Sequence, residues 1–251
     1  MRIDSATEAA PVPGRPNEDL VASGPDWALV LDGATPAPNV ATGCRHDVPW
    51  LVHRLAAALT VRLSQAASTS LADVLADAIA ELCGAHQDTC DLANPDSPSS
   101  TVAMARVRGT AVDYLVLCDS PVVLRHTGGR ITLIEDDRLA TLPRGRPYRA
   151  GQIRAHRNQP GGFWVASTDP AAAYQALTGS AGTTGLTDVA LFSDGVTRLA
   201  EWYGYPWPRI LDQLRGQGPD ALIGLLRAAE RAYPHPRLKQ HDDATVAYLR
   251  W

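Results

Sequence analysis

The sequence lacks the long apolar run that a membrane-spanning helix requires. No stretch approaches ~18 consecutive apolar residues. The N-terminal segment MRIDSATEAAPVPG carries acids early and has no apolar core, which argues against a secretory signal. These absences predict a cytoplasmic protein with no membrane partner.

Cysteine is also scarce, with 4 in 251 residues. None forms a CxxC pair, and the count is too low for a disulfide scaffold. Cys83 and Cys90 are seven residues apart, a spacing that would place both on one helix face as buried thiols. Cys44 and His46 lie close together, with His53 downstream, but their spacing matches no common zinc-binding pattern. The sequence therefore favours core thiols over a zinc site.

There is no excess of positive charge. The formal net charge is −4, which argues against a nucleic-acid partner. Lys239 is the one lysine among 23 basic residues, and this preference for arginine suggests a GC-rich bacterial genome. Apolar residues make up 45% of the chain and charged residues 20%, as in globular proteins. Because the predicted first and last strands are both needed for a core, we predict one domain over residues 1–251.

Hydrophobic periodicity predicts strands grouped in the middle of the chain with helices around them. Helices are predicted over residues 48–67, 71–87, 170–177, 209–215 and 219–232. Strands are predicted over residues 1–7, 27–32, 101–107, 112–117, 122–125, 131–134, 163–166, 188–193 and 245–251. This grouping is typical of an α+β fold.

Acidic residues recur beside the predicted strands. Asp32 and Asp194 each end an apolar run and precede glycine. The other members of the set are Glu18, Asp19, Asp119, Asp242 and Asp243. A single Asp-Gly after a strand is typical of a turn. If several converge at one rim of a sheet, however, their oxygens suit Mg²⁺ or Mn²⁺, and a pair of such ions can activate water and clamp a phosphoryl group.

Six segments carry a resemblance to a known family. RPNED, LVLDGAT, SSTVAMARV, VLCDS, ALFSDGV and HDDATVAYL resemble, in order, the motifs of metal-dependent serine/threonine protein phosphatases of the 2C type. The resemblance extends from Arg15 to Tyr248. It implies a sandwich of two antiparallel β-sheets flanked by α-helices, with two Mn²⁺ or Mg²⁺ ions at one end. It also implies hydrolysis of phosphoserine or phosphothreonine on a protein substrate.

The resemblance assigns metal ligands position by position. Asp32 matches the carboxylate that bridges both metals, and Gly33 matches the glycine whose carbonyl binds one of them. Asp194 and Asp242 match further metal ligands, so Asp32 and Asp194 belong to the catalytic centre. Glu18 matches an acid that reaches a metal directly or through water.

The resemblance also assigns residues around the metals. Asp19 and Asp243 match neighbours of the ligands, and Asp119 matches an acid associated with a third metal. Arg15 resembles the phosphate-binding arginine, since a guanidinium can hold two phosphate oxygens at once.

Three departures from the family pattern bear on activity. The segment DGATPAP lacks the histidine that resembles a general acid, and His46 or His53 could replace it or serve only in packing. Arg198 stands where bacterial members carry a further acid, so a third metal should bind weakly or not at all. VLCDSP has Cys118 and Pro121 where the family has glycine and arginine.

Residues 138–157 form a connection rich in arginine. Its members are Arg138, Arg144, Arg146, Arg149, Arg154 and Arg157. They could form a solvated loop, or a surface on which a phosphorylated protein docks.

Two other functions remain open beside the phosphatase hypothesis. One is a non-catalytic scaffold or phosphoprotein-binding module, and the other is a hydrolase of small phosphate esters.

Overall fold

Two antiparallel five-stranded sheets form the centre of the molecule. The structure, a computed structural model, describes residues 1–37, 39–65, 68–143, 145, 148–234 and 239–251. The strands are β1 (Arg2–Glu8), β2 (Asp19–Ser23), β3 (Trp27–Ala34), β4 (Ser99–Arg108), β5 (Ala111–Leu117), β6 (Val122–His126), β7 (Ile131–Ile134), β8 (Leu177–Gly182), β9 (Leu186–Phe192) and β10 (Ala244–Arg250). One sheet has the order β1-β10-β9-β6-β7, and the other has the order β2-β3-β4-β5-β8.

Helices cover the outer faces of both sheets. They are α1 (Val48–Gln65), α2 (Leu71–His86), α3 (Ala150–His156), α4 (Asp194–Glu201), α5 (Trp207–Gln217) and α6 (Pro219–Ala232), with short 3-10 helices at Thr127–Gly129 and Pro170–Gln175. Helices α1 and α2 pack on the β2–β8 sheet, and α4, α5 and α6 pack on the other. A third apolar layer fills the space between the sheets. The predicted sandwich of two antiparallel sheets flanked by helices is confirmed.

Strand β3 begins with a continuous apolar run because it is covered on both faces. Leu29 and Leu31 pack under the helices, whereas Ala28 and Val30 face the opposite sheet. Because neighbouring side chains point to opposite faces of a strand, a strand covered on both sides needs a continuous apolar run. The first polar side chain of that strand is Asp32, at the edge of the core.

The two long helices begin where their capping residues predict. The Asp47 carboxylate accepts a hydrogen bond from the N–H of Trp50 (2.9 Å) at the start of α1. The Ser70 hydroxyl accepts one from the N–H of Asp73 (3.1 Å) at the start of α2. No described helix is long and apolar enough to cross a membrane.

Several predicted boundaries were wrong. Residues 163–166 form only isolated bridges rather than a strand, and β2 (Asp19–Ser23) was not predicted. Strand β8 and helices α3 and α4 were not predicted. Helix α2 ends at His86, so Cys90 lies beyond it and does not share a helix face with Cys83. The predicted helix extension over residues 66–67 lies outside the described residues.

Candidate metal and phosphate site

Asp32 lies near the end of β3, at the centre of the carboxylate cluster. It is paired across the sheet with Asp19 on β2 and Thr101 on β4. Its Oδ2 accepts a hydrogen bond from the backbone N–H of Asp194 (3.1 Å), the first residue of α4. An N–H at a helix N-terminus stabilises an anion, so this contact both orients the Asp32 carboxylate and brings Asp194 beside it.

The pKa of Asp32 reflects the acids from separate segments that surround it. Burial raises the pKa of Asp32 well above its ordinary value, and the charges of Asp19, Asp194, Asp242 and Asp119 raise it further. Each of these carboxylates disfavours the ionised form of Asp32. A divalent cation among them would relieve that repulsion, because hard cations prefer carboxylate oxygens.

Asp19 is a buried acid behind Asp32. Burial raises its pKa to about 7, although hydrogen bonds from Ser193 and Thr245 lower it in part. Its Oδ2 has no hydrogen-bond partner among the described residues. A buried oxygen without a donor is costly unless water or an ion satisfies it, and it therefore fits a hydrated cation nearby.

Glycine is required at position 33 because the chain before β2 comes very close. The N–H of Gly33 donates to the carbonyl of Glu18 (3.1 Å). A Cβ at position 33 would lie 2.5 Å from that oxygen and 2.4 Å from the Val48 side chain. The buried Glu18 carboxylate accepts hydrogen bonds from Thr35 and from Arg15 (3.3 Å). Arg15 also donates to the Thr35 hydroxyl (3.0 Å).

Asp243 holds the N-terminal segment in place. Its carboxylate accepts hydrogen bonds from the N–H groups of Ala10 (2.7 Å) and Glu18 (2.8 Å). A Cβ at Gly195 would lie 1.9 Å from the Asp243 carbonyl, so α4 and the last motif are in close contact. Asp243 therefore positions Glu18.

Asp242 is paired with two cationic side chains. Its carboxylate accepts hydrogen bonds from Arg198 and Lys239. Arg198 is buried, lies 4.0 Å from the carboxylate of Glu230 and stacks over the Trp202 ring at 4.4 Å. Position 198 thus brings a positive charge against the Asp242 carboxylate.

These side chains line an open cleft. Its polar wall includes Arg15, Asp32, Asp119, Asp194, Arg198 and Asp242. A more enclosed cavity of about 280 Å³ continues from the cleft past Thr101, Asp119 and Tyr148, and its walls are mostly apolar. The sequence prediction did not include Thr35, Trp202 or Lys239, which also line the cleft. Thr35 directly follows the DGA segment and could have been found from it.

The structure places Cys118, between the β5 end and Asp119, in a strained backbone region. Its φ is 66°, a conformation that favours glycine. Its N–H donates to the buried carboxylate of Asp136 (3.0 Å), which fixes the turn before Asp119. Glycine, which the resemblance implies at this position, would adopt this φ without strain, whereas Cys118 adopts it with a side chain.

The structure does not bring the two candidate histidines into the cleft. His46 stacks on Trp50 and lies against Cys44 and Cys90. The exposed His53 side chain is within 2.7 Å of the Pro49 carbonyl in its own helix. Among the described residues that line the cleft there is no histidine.

Several arginines of the arginine-rich connection pair with residues outside it. Arg138 donates two hydrogen bonds to Asp136 (2.7 and 2.6 Å), and Arg154 pairs with Asp96. Arg157 donates to the Ser167 hydroxyl (3.0 Å), and burial lowers its pKa to about 10. Arg144 and Arg146 lie outside the described residues. Docking on residues 138–157 stays a prediction.

Comparisons with known proteins agree with this architecture. Residues 12–227 match the family model of protein phosphatase 2C, and the chain belongs to that family. No curated protein is similar enough in sequence to match this chain.

Solved structures show the same fold over nearly the whole chain. The Mycobacterium tuberculosis serine/threonine phosphatase PstP/Ppp is 18% identical, with a TM-score of 0.63 and coverage of 98% of this chain and 97% of that chain. Serine/threonine phosphatase Stp1 from Staphylococcus aureus is 16% identical, with a TM-score of 0.66 and coverage of 99% and 94%. The catalytic domain of PstP in complex with two manganese ions is 17% identical, with a TM-score of 0.60 and coverage of 98% and 96%.

Proposed function

We propose that this chain hydrolyses phosphoserine or phosphothreonine on proteins with two Mn²⁺ or Mg²⁺ ions. One observation carries the proposal: Asp32, Asp119, Asp194 and Asp242, from four separate segments, line one cleft together with Arg15. Similar solved structures are those of serine/threonine phosphatases, one of them in complex with two manganese ions. We propose the same class of substrate and the same kind of metal for this chain.

The donor set supports hard divalent cations. Asp32, Asp194, Asp242, the Gly33 carbonyl and Glu18 would hold the ions, and every donor is an oxygen. When bound, such ions supply Lewis-acid activation of a water nucleophile and neutralise charge on the phosphoryl group.

The protein's own residues prepare that site. The N–H of Asp194 orients Asp32, and Asp243 holds the backbone of Glu18. Thr35 and Glu18 hold one edge of the Arg15 guanidinium inside the cleft. A planar guanidinium can grip two phosphate oxygens, so Arg15 would orient the substrate phosphate.

The cleft offers no histidine to protonate the departing alcohol among its described lining residues. General acid catalysis is worth roughly 10²–10⁴ in rate when the leaving group is poor. We therefore expect an aryl phosphate, whose leaving group needs less protonation, to react faster than a phosphothreonine peptide.

A second candidate function is metal-independent binding of a phosphoprotein. The pairing of Asp242 with Arg198 and Lys239 favours it, because these two cations already bind the carboxylate oxygens that would coordinate a metal. A module of this kind would bind a phosphopeptide in the presence of EDTA and would not turn it over.

The decisive experiment measures hydrolysis of an aryl phosphate and of a phosphothreonine peptide with Mn²⁺, with Mg²⁺ and with EDTA. Asp242→Asn tests the site, and Asp212→Asn is the control, because Asp212 is a 70% exposed side chain on α5. The proposal predicts metal-dependent turnover that Asp242→Asn loses and Asp212→Asn keeps. Phosphopeptide binding with no turnover under any condition would favour the binding module instead.

A further inference from the structure

A second group of potential metal ligands lies outside the carboxylate cleft. Cys44, His46, His86 and Cys90 each offer one ligand atom, and these four atoms lie within 4.8 Å of one another. Cys44 and His46 belong to the connection between β3 and α1. His86 ends α2, and Cys90 follows it in the connection to β4. Two pairs of residues that lie at least 40 positions apart in sequence therefore meet at one point.

The distances between sulfur and nitrogen match a tetrahedral site. Cys44 Sγ is 3.6 Å from His46 Nδ1 and 3.5 Å from His86 Nδ1, and Cys90 Sγ is 3.5 Å from His46 Nδ1. Zn–S bonds of ~2.3 Å and Zn–N bonds of ~2.0–2.1 Å at tetrahedral angles place sulfur and nitrogen about 3.6 Å apart. The two sulfurs are 2.7 Å apart, so they would move about 1 Å away from each other around an ion.

The four ligands lie at a partly buried position, with His86 buried and Cys44, His46 and Cys90 half-buried. His86 is 2% exposed, and its Nε2 has no hydrogen-bond partner among the described residues. The other nitrogen of this buried ring, Nδ1, contacts Cys44 Sγ. Trp50 stacks on His46 at 3.8 Å and lies 5.3 Å from His86, which screens the group from water.

We propose that Cys44, His46, His86 and Cys90 bind one Zn²⁺ ion as a structural site. Two cysteines and two histidines form a ligand set that zinc prefers, and four protein ligands leave no open position for catalysis. Binding would release the two thiol protons, one from each cysteine, and the two thiolates would neutralise the ion. A site without net charge suits this partly buried position.

The zinc site would join two loops that border the carboxylate cleft. These loops already share hydrogen bonds, among them those from the N–H of Asp91 to the Gly43 carbonyl (2.8 Å) and from the Asn94 side chain to the Ala41 carbonyl (3.0 Å). The first loop supplies Pro36 to the cleft wall, and the second supplies Asp96 to the adjoining cavity. An ion at the four ligands would fix the distance between these walls.

The test is the zinc content of the full chain purified with a reductant and dialysed against metal-free buffer. We expect about one zinc per chain in the wild type, a loss of at least tenfold in Cys44→Ser and in Cys90→Ser, and no loss in the control Cys83→Ser. Cys83 is a half-buried thiol on α2 outside the group. Asp194→Asn should also keep its zinc, which separates this site from the carboxylates and makes the result independent of phosphatase activity.

A second measurement uses only the wild type, in case a variant does not fold. Zinc is removed with a chelator under reducing conditions and then added back at about 100 times its Kd. We expect the thermal midpoint of unfolding to rise by about 5–10 °C. Failure of reduced protein to bind zinc would overturn the proposal, and so would a wild type whose mass shows a Cys44–Cys90 disulfide and which takes up no zinc after reduction. Retention of zinc in both cysteine variants would overturn it as well.

Discussion

Asp242 lies where two requirements compete, since it is matched to a metal ligand but already accepts hydrogen bonds from Arg198 and Lys239. Arg198 is buried against Glu230 and Trp202, so its charge cannot move away freely. Lys239 is 41% exposed and can release Asp242 more easily. Any cation that binds at Asp242 must overcome both interactions, and Lys239 is the simpler one to remove.

Lys239→Gln should therefore strengthen metal binding. Because a positive charge near a metal site opposes a cation by a modest Coulomb energy in a solvent-exposed cleft, we expect the half-maximal Mn²⁺ concentration to fall about 2–5-fold. A Mn²⁺ titration of activity measures this. Arg2→Gln is the control, because the Arg2 side chain is 67% exposed and pairs with Asp4. An unchanged or higher half-maximal concentration in Lys239→Gln would contradict the account.

Arg15 should act on the phosphate rather than on the fold. Arg15→Ala removes charge-assisted hydrogen bonds worth about 1.5–3 kcal/mol, so kcat/KM should fall about 10–150-fold. Arg15→Lys keeps the charge but loses the planar fork and should recover only part of that loss. Steady-state kinetics on a phosphopeptide checks both variants. Arg130→Ala, at an exposed residue, is the control, and equal kinetics in all three variants would exclude Arg15 from substrate binding.

At the scale of elements, α1 supports the sheet that carries Asp32. Leu59 on this helix is fully buried, whereas Val61 is 52% exposed. We expect Leu59→Ala to lower the free energy of unfolding by about 2–5 kcal/mol and Val61→Ala by less than about 0.5 kcal/mol. Urea unfolding measures both. Similar losses in the two variants would mean that α1 does not pack as described.

Elements with strong local signals could be predicted from the sequence. Helix α6 and strand β7 match their predicted bounds of residues 219–232 and 131–134, and α1 begins at the predicted residue 48. The missed strand β8 consists of LTGSAG, whose small residues carry no apolar alternation and whose pairing depends on its neighbour β5. Tertiary contact, rather than local propensity, creates such an edge strand.

Site residues also divide into those that a local sequence signal reveals and those that only tertiary contact brings together. The acids of the cleft could be predicted because each lies next to a motif at a strand end, as Asp32 does in β3. The meeting of Cys44 and His46 with His86 and Cys90 could not, because it depends on how two loops lie against each other. The sequence does contain two short pairs, C-x-H and H-x₃-C, that could have been considered together.

At the scale of the whole molecule, the buried Asp188 carboxylate connects two strands, β6 and β10, with helix α5. Its carboxylate accepts hydrogen bonds from Arg125 on β6 (2.6 Å), Arg215 on α5 (2.8 Å) and Tyr248 on β10. Burial alone would raise the pKa of Asp188, but the hydrogen bonds from Arg125, Tyr248 and Thr187 outweigh it and lower the pKa below 3.8. The ionised network therefore stabilises the fold above that pH.

Tyr248→Phe should make the molecule more sensitive to acid. Because the folded pKa of Asp188 lies below its unfolded value, its stabilisation is complete above about pH 4 and is lost as the pH falls through the folded pKa. Removing the Tyr248 hydroxyl should cost about 1.5–3 kcal/mol near neutral pH, and the difference should shrink as the pH falls through the lowered pKa of Asp188. Urea unfolding at several pH values measures this. Tyr233→Phe, at a 72% exposed residue, is the control, and a pH-independent difference for Tyr248→Phe would contradict the proposed network.

The number of Mn²⁺ ions that bind per chain tests the central claim most directly. Titration calorimetry on protein saturated with zinc and freed of excess metal should give two Mn²⁺ per chain in the wild type. Asp32→Asn, which neutralises the carboxylate matched to the bridging ligand, should reduce that number to one or none. No Mn²⁺ binding in the wild type, or two ions still bound with unchanged affinity in Asp32→Asn, would contradict a two-metal centre at these carboxylates.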